Sequence, residues 1–311
     1  MSIKIMIDVG HAGKENRSPV YPDYWESIRM WRLRDFLIPA LKQYPGFEIA
    51  ETRTKQTQVL EVTARGRKAK GYDLLLSLHS NAAVARIEPS DSAETIAKKQ
   101  AAAEAVDRVS CIYQVPDEYS VIDDKSKAIA EIFAKGISQV MQTKDPPKWY
   151  SRLSDTDRNK DGLINDNYYG ILHGAWMVGT AAVILEHSFH TNLSAAMWLM
   201  DDSNLQQLAE AEAAMLAEFY GLTKTVRQKG DVNGDGKIGS VDYTMAKRIF
   251  LGTFKATPEQ LWAADVDGDG VVTAKDCLMI KRHHLGTYSI AAYWIDYATL
   301  MLEKANLLKG E

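Results

Sequence analysis

The chain has 311 residues, of which 46% are hydrophobic and 25% are charged, enough for one large core and a smaller second unit. Its formal net charge is −4 and no run of lysine or arginine forms a basic stripe, which argues against a nucleic-acid partner. No apolar run approaches the roughly 18 residues that span a bilayer, so we expect no transmembrane segment. Cys111 and Cys277 lie far apart, which predicts two buried thiols and no disulfide.

Residues 1–222 alternate short strand-like segments with longer helix-like ones. The strand-like segments are IKIMIDV, FEIAET, YDLLLSLH, VSCIYQV and AAVILEH, at residues 3–9, 47–52, 72–79, 109–115 and 181–187. Helical spacing is clearest from Ile28 to Leu41 and from Ile129 to Met141. Strands this continuously apolar are covered on both faces, which predicts an α/β fold with a mostly parallel sheet and helices on both faces. Residues 82–107 are predicted to form an exposed, inserted helix, with a lid or groove wall as the alternative.

Polar residues follow three of these strands at the point where each ends. His11, His79 and Glu186 occupy these positions, and Glu26 lies in the first turn of the helix after the first strand. Ligands bind beyond the carboxyl ends of the strands in open α/β sheets, so we expect the four side chains to converge. Two histidines and a carboxylate suit a tetrahedral zinc ion with one position left for water, and a second carboxylate is then free to act as a base. Each residue alone is more simply structural.

Other polar residues are weaker candidates. Asn81, His173 and His190 lie in segments expected to rim the crevice, where they would bind substrate or stabilise a developing oxyanion; a structural role is the alternative. His187 follows Glu186 in a strand and should therefore face away from the site. Asp8 is expected either to orient an imidazole or to cap the loop after the first strand.

Residues 1–222 resemble zinc-dependent N-acetylmuramoyl-L-alanine amidases of the amidase-3 type, found among cell-wall amidases and phage endolysins. The motifs that carry the resemblance are DVGHAGK, the glutamate of YWESIRMWRL, ETRTKQT with ARGRKA, YDLLLSLHSNA and VILEHSFHTN. The resemblance implies a phosphorylase/hydrolase-like fold, one Zn2+ bound by His11, Glu26 and His79, and Glu186 as the catalytic carboxylate. It implies cleavage of the amide between N-acetylmuramic acid and L-alanine in peptidoglycan.

A polar loop interrupts the second half of this unit. The segment DTDRNKDGLINDN, within residues 155–167, places Asp157, Asn159 and Asp161 at positions 1, 3 and 5 of a calcium-type loop, with Gly162 at position 6. Position 12 is Tyr168, so the closing carboxylate is missing. A polar turn is therefore favoured over a calcium site for residues 155–166.

After a polar linker at residues 223–229, the chain repeats a loop and a helix. GDVNGDGKIGSVDYTMAKRIFLGTF recurs as ADVDGDGVVTAKDCLMIKRHHLGTY. Each copy has calcium-loop spacing, with side-chain oxygens at positions 1, 3, 5 and 12, a backbone carbonyl at 7 and glycine at 6. The predicted ligands of two Ca2+ ions are Asp231, Asn233, Asp235, Lys237 and Asp242 in the first loop and Asp265, Asp267, Asp269, Val271 and Asp276 in the second.

The repeat at residues 230–288 resembles a type I dockerin, because position 12 is aspartate and no helix clearly leads into either loop. The resemblance implies a small all-α calcium-loop domain that docks onto a cohesin module. A calcium-stabilised module that positions the enzyme without any cohesin is the alternative. Residues 289–311 are predicted to form a helix with Ile290, Trp294 and Tyr297 on one face. This face is expected to pack on the preceding domain; a membrane surface or a partner protein is the alternative.

Three functions remain in view. A zinc amidase acting on peptidoglycan is favoured. The second hypothesis is a zinc peptidase on a related fold, but the sequence has no HxxE or HExxH spacing. The third is a non-catalytic, calcium-dependent wall- or scaffold-binding protein, which would not need all four site residues. The start of the chain lacks the order of a secretory signal, so action at the bacterial cell wall is expected after secretion or after release by phage lysis.

Overall fold

The computed structural model describes residues 2–115, 121–224 and 228–290. The chain divides into two compact units, Met1–Thr223 and Lys224–Glu311, and this division falls within the predicted linker. Among the described residues, no helix is both long enough and apolar enough to cross a membrane. The predicted C-terminal helix lies, except for its first two residues, outside the described part.

Six strands form one sheet in the first unit. They are β1 (Ile3–Val9), β2 (Phe47–Glu51), β3 (Leu74–Asn81), β4 (Ser110–Tyr113), β5 (Lys148–Tyr150) and β6 (Ala181–Phe189). Their order in the sheet is β2-β1-β3-β6-β4-β5. The first four in that order are parallel, whereas β4 pairs antiparallel with β6 and β5 pairs parallel with β4. The predicted mostly parallel α/β sheet is confirmed.

Helices cover the sheet and build the second unit. In the described part of the first unit they are α1 (Glu26–Leu41), α2 (Val62–Arg67), α3 (Ala93–Glu104), α4 (Val121–Met141), α5 (Gly170–Trp176), α6 (Leu193–Met200) and α7 (Asp202–Phe219). In the second unit they are α8 (Ser240–Phe250), α9 (Pro258–Ala264) and α10 (Ala274–His284). Helix α3, within the predicted insertion, has no buried residue and lies exposed.

Each face of the sheet has its own core. Leu74, Leu76 and Leu78 of β3 pack with α1, α4, α6 and α7, and this larger cluster is called the first core. Leu75, on the opposite face of the same strand, packs with Ile184 and α5 in the second core. The alternation along β3 is what a strand buried on both faces requires. His79 and Glu186 continue the second-core face of β3 and β6 beyond Leu75 and Ile184.

The second unit packs around a small core of its own. Val232, Ala246, Val266 and Ile280 are among its buried members, and Ile290 joins them. Here the structure corrects one expectation, because α9 ends directly before Asp265 and so leads into the second loop. The sequence showed no such helix, since α9 has only seven residues and too few turns for a clear periodicity.

Candidate active site

The loop after β1 delivers His11 to the carboxyl edge of the sheet. Gly10 donates its N–H to the carbonyl of Leu78, and a Cβ on Gly10 would lie 2.2 Å from Cε1 of His79. Glycine is therefore required at position 10 by the close approach of the His79 ring. The sharp turn is made by His11 and Gly13, which have φ angles of 55° and 59°.

His11, Glu26 and His79 form one cluster, with one candidate ligand atom of each lying within 4.8 Å of the others. Nδ1 of His79 lies 2.9 Å from Oε1 of Glu26, and Nε2 of His11 lies 3.6 Å from Oε2 of the same carboxylate. A tetrahedral zinc ion separates its donor atoms by about 3.3 Å. The donor set and its spacing therefore fit a zinc ion.

The cluster is electrostatically polarised. Burial alone would raise the pKa of Glu26, but the hydrogen bond and charge of His79, the charge of His11 and the Asn16 amide outweigh it, and the pKa is about 2. Burial lowers the pKa of His79 less than Glu26 and Glu186 raise it, so the net shift is upward. The pKa of His11 is lowered, chiefly by burial. Glu26 is thus an anion at neutral pH, as a metal ligand must be.

Glu186 lies directly opposite His79 in the β3–β6 pairing. Its Oε2 atom is buried and has no hydrogen-bond partner within the part of the chain that the structure describes. Burial, reinforced by the charge of Glu26 and opposed by that of His79, raises the pKa of Glu186 to about 7. A carboxyl group with a pKa near neutrality can both accept and return a proton, so this side chain is suited to general acid–base chemistry.

Two residues that contact the cluster were not predicted from the sequence. The Nδ2 amide of Asn16 donates to Oε2 of Glu26 at 2.8 Å and lies 2.8 Å from Nε2 of His11, while Oε2 of Glu15 lies 3.4 Å from Nδ1 of His11. Asn16 has a φ angle of 53°. That conformation, which asparagine tolerates, turns its amide back towards His11, and no strand or helix pattern signals it.

His190 and Asn81 adjoin the cluster. The Nδ1 atom of buried His190 lies 2.9 Å from Oγ of Ser80, which accepts a hydrogen bond from the Tyr24 hydroxyl, and the Tyr24 and His190 rings stack with centroids 5.6 Å apart. The carbonyl of Asn81 accepts a hydrogen bond from the His190 N–H. His190 therefore sits behind the end of β3, and Asn81 lines an open cavity at its side.

His173 lies elsewhere. Its ring is buried in α5, stacks on Trp176, and places Nδ1 3.5 Å from Oδ1 of Asp166. It lines a second cavity with Arg67 and Arg158, and no member of the metal cluster contributes to that cavity. The structure thus brings His11, Glu26, His79, Glu186 and His190 together and leaves His173 apart.

Two further polar residues build the sheet. His187, on the opposite face from Glu186, contacts the His79 carbonyl through Nδ1 at 2.8 Å and Glu212 of α7 through Nε2 at 2.6 Å. Asp8 accepts hydrogen bonds from Thr52 and Ser77, and Arg65 lies 3.4 Å away. These contacts of Asp8 join strands, and neither predicted role, orienting an imidazole or capping the loop, is among them.

The two loops of the second unit have the same internal hydrogen bonds. In each, the position 1 aspartate (Asp231 or Asp265) accepts from the backbone N–H groups of positions 4 and 6. The position 12 aspartate (Asp242 or Asp276) accepts from the position 3 N–H and from the residue before the following helix. The ligand atoms of Asp265, Asp267 and Asp269 lie within 4.8 Å of one another. This is a donor set that suits calcium.

The polar loop in the first unit has a related pattern. Asp157 accepts from the N–H groups of Lys160 and Gly162, and Asp166, at position 10, accepts from those of Arg158 and Asn159. Asp166 thus occupies the structural place of the closing acid, which a calcium loop carries at position 12. These bonds lie within the loop, as do those of the two loops in the second unit.

A mostly parallel sheet with a cluster of polar side chains at its strand ends is the usual arrangement of an α/β enzyme. Residues 5–218 match the family described as N-acetylmuramoyl-L-alanine amidase, and residues 229–285 match the dockerin type I domain. The chain therefore belongs to the N-acetylmuramoyl-L-alanine amidase family, is an enzyme that hydrolyses an amide of peptidoglycan, and carries a C-terminal dockerin type I domain. A comparison with curated proteins gives no match.

Solved structures share the fold of the first unit. The N-acetylmuramoyl-L-alanine amidase from Clostridium difficile 630 has a TM-score of 0.51 at 18% identity, covering 71% of this chain and 97% of that one. Cwp6 from Clostridium difficile has a TM-score of 0.52 at 17% identity, covering 70% of this chain and 29% of that one. The amidase AmiC2 of Nostoc punctiforme has a TM-score of 0.50 at 17% identity, covering 70% and 97%. At these identities the likeness concerns the fold alone.

Proposed function

We propose that His11, Glu26 and His79 hold one zinc ion and that Glu186 is the catalytic base and acid of the amidase. The supporting observation is the convergence of the three ligand atoms within 4.8 Å, beside a carboxyl group whose pKa is raised to about 7. A zinc ion bound there supplies Lewis acidity, which polarises a carbonyl group and makes water a better nucleophile near neutral pH.

Several residues of the chain have separate roles in hydrolysis. The Glu186 carboxylate takes a proton from the attacking water and then gives a proton to the departing amine of L-alanine. Glu15 holds Nδ1 of His11, which leaves Nε2 to face Glu26. Ser80 donates its backbone N–H to Glu26 and orients the carboxylate from behind. We propose that His190 acts through Ser80 and that Asn81 contacts substrate directly. For His173 the predicted substrate role has no support from its position.

Isosteric substitutions test these roles. Glu186→Gln should bind one zinc per chain and lose about 100- to 10,000-fold in turnover, because only proton transfer is removed. Glu26→Gln should lose zinc as well as activity. Zinc content and the release of free amino groups of alanine from purified peptidoglycan give the two readouts, with Glu218→Gln, an exposed change on α7, as the control. Near-normal turnover by Glu186→Gln would show that another group moves the proton.

For the second unit we propose two structural calcium ions. The supporting observation is the duplicated bonding of the two loops, whose first and last aspartates are buried although no lysine or arginine neutralises Asp231, Asp242 or Asp276 among the described residues. Buried carboxylates are usually paired or bind metals. The ligands would be Asp231, Asn233, Asp235, the Lys237 carbonyl and Asp242 in one loop, and Asp265, Asp267, Asp269, the Val271 carbonyl and Asp276 in the other.

We further propose that residues 230–288 dock onto a cohesin module and that the enzyme acts at the bacterial cell wall. Exposed apolar residues recur at equivalent places after the two loop helices, at Leu251 and Leu285, which are 58% and 61% exposed. Duplicated exposed leucines suit a protein-binding surface. Titration of the full chain with a purified type I cohesin, with and without chelator, tests the proposal; Leu251→Ser and Leu285→Ser together should weaken binding, whereas binding that chelator leaves unchanged would contradict it.

A further inference from the structure

An open cavity of about 600 Å³ lies at the edge of the sheet formed by β4 and β5. Arg108, Ser110, Lys148, Asn81 and Phe189 are among the residues that line it, and we call it the edge groove. The groove borders the catalytic cluster, as the pairing of the strands shows.

A continuous row of residues connects the cluster to the groove. His79 lies opposite Glu186, Glu186 lies opposite Ser110, and Ser110 lies opposite Lys148, in strands β3, β6, β4 and β5. Residues that are directly opposite in neighbouring strands project to the same face of a sheet. Neighbouring strands are about 4.8 Å apart, so the backbone of Lys148 lies about 10 Å from that of Glu186. Arg108 precedes Ser110 by two residues and belongs to the same edge.

The groove is positively charged at its outer end. Lys148 is exposed and Arg108 is partly exposed, with its guanidinium 5.8 Å from the Phe189 ring centroid. Within the described part of the chain, neither cation has a carboxylate at ion-pair distance, and no aspartate or glutamate lines the groove. Two unpaired cations on one wall favour an anionic ligand.

The position of the two cations indicates that the peptide part of the substrate, and not the glycan, lies in the groove. With the reacting amide beside Glu186, about 10 Å corresponds to three residues of extended peptide. The stem peptide carries carboxylates over that length, whereas the glycan next to the amide is uncharged. The ring of Trp149 in β5, which also lines the groove, packs against the first core and lies under Lys135.

We propose that the edge groove binds the stem peptide, and that Arg108 and Lys148 recognise a free carboxylate on the second or third residue of this peptide. This inference rests on the proposed function, because it takes the amide to lie beside Glu186. Arg108 and Lys148 are then specificity-determining residues that contact substrate away from the reacting atoms. They select stem peptides with free carboxylates over those in which the same groups are carboxamides.

Two muramoyl tripeptides test the proposal, identical except that the carboxylates of residues two and three are free in one and amidated in the other. The wild-type protein should favour the free acid. Arg108→Met and Lys148→Met should each lower kcat/KM for the free acid by about tenfold, the effect of one charged hydrogen bond, and change the amidated substrate by less than about twofold. Lys127→Met, which removes an exposed charge from α4, is the matched control.

Equal losses on both substrates, or losses no larger than those of the Lys127→Met control, would overturn the proposal. Binding of the two tripeptides without the sugar, measured by calorimetry on the same four proteins, gives a readout independent of turnover. Should the wild-type protein release no amine from either substrate, the proposed function fails, and the calorimetry still decides the groove: preference for the free acid that both groove variants lose supports it, and no preference refutes it.

Discussion

At the scale of single residues, Gly10 is required because it has no side chain. The His79 ring packs against its α-carbon, and any Cβ there would overlap the ring. The ring is itself held by Glu26 and half-buried opposite Glu186, so it has little room to move. The geometry of the proposed metal cluster therefore depends on the absence of one side chain at a residue that binds nothing.

The substitution Gly10→Ala should displace His79 and lower zinc affinity by about 10- to 100-fold, the usual cost of disturbing the support of a metal ligand. It should also cost about 1–3 kcal/mol of stability through overpacking. Gly13→Ala is the matched control, because position 13 has a φ angle of 59° and no neighbour within 4 Å of the added Cβ. That control should lose about 1–2 kcal/mol of stability from backbone strain and keep its zinc affinity. Zinc titration and thermal melting measure both effects, and equal affinity in the two variants would contradict this account.

The convergence of the four candidate site residues could be predicted because each lies at or near the end of an element. His11 follows β1, whereas His79 and Glu186 lie opposite each other near the carboxyl ends of β3 and β6, and Glu26 begins α1. Glu15, Asn16 and Asp166 could not be located in this way. Their side chains are aimed by left-handed or irregular loop backbone, which depends on tertiary contacts and leaves no periodic pattern in the sequence.

At the scale of elements, the four parallel strands and the long helices were predictable, since their apolar periods extend over five or more residues. β5 has three residues, too few for any period, and was not predicted. The reversed direction of β4 and β5 was not predictable either, because an apolar run reads the same in both directions. That reversal matters for function, since it brings the beginnings of β4 and β5 to the edge where the other strands end.

The contact between His187 of β6 and Glu212 of α7 joins the sheet to a helix. Both side chains are fully buried, and their atoms lie 2.6 Å apart. Glu212→Ala should cost about 3–5 kcal/mol, because it leaves a buried imidazole without its partner. Glu218→Ala, on the exposed side of the same helix, should change stability by less than about 0.5 kcal/mol. Urea unfolding of both variants is the measurement, and similar midpoints would show that the contact adds nothing.

The same contact should make stability depend on pH. Burial lowers the pKa of His187, but Glu212 and the His79 carbonyl raise it more, so the net shift is upward from 6.5. The folded state then retains a proton that the unfolded chain releases, so the stabilisation is complete below about pH 6.5 and declines as pH rises through the folded-state pKa. Subtracting the pH profile of Glu212→Gln from that of the wild type isolates this effect. A difference that grows with pH would have the wrong sign.

At the scale of the whole molecule, the two units offer two different kinds of candidate ligand set. The first unit offers imidazole and carboxylate at a strand edge, which suits zinc, and the second offers only oxygen ligands in loops, which suits calcium. The first has an extensive core on one face of its sheet and a smaller one on the other, whereas the described part of the second has one small core. Few of the described residues of the second unit are buried, and cations bound by its loop carboxylates would stabilise it further.

Calcium should therefore stabilise the second unit selectively. In calorimetry of the full chain, a calcium concentration about 100 times Kd adds about 2.7 kcal/mol per site, which for a small domain is a rise of roughly 10–20 °C in one transition. The transition of the first unit should not move. Asp265→Ala removes a buried first ligand of the second loop and should abolish most of the shift, whereas Asp124→Ala, an exposed change on α4, should leave it intact. If chelator left both transitions where they were, the buried aspartates would be stabilised by their backbone hydrogen bonds alone, and the loops would be turns rather than ion sites.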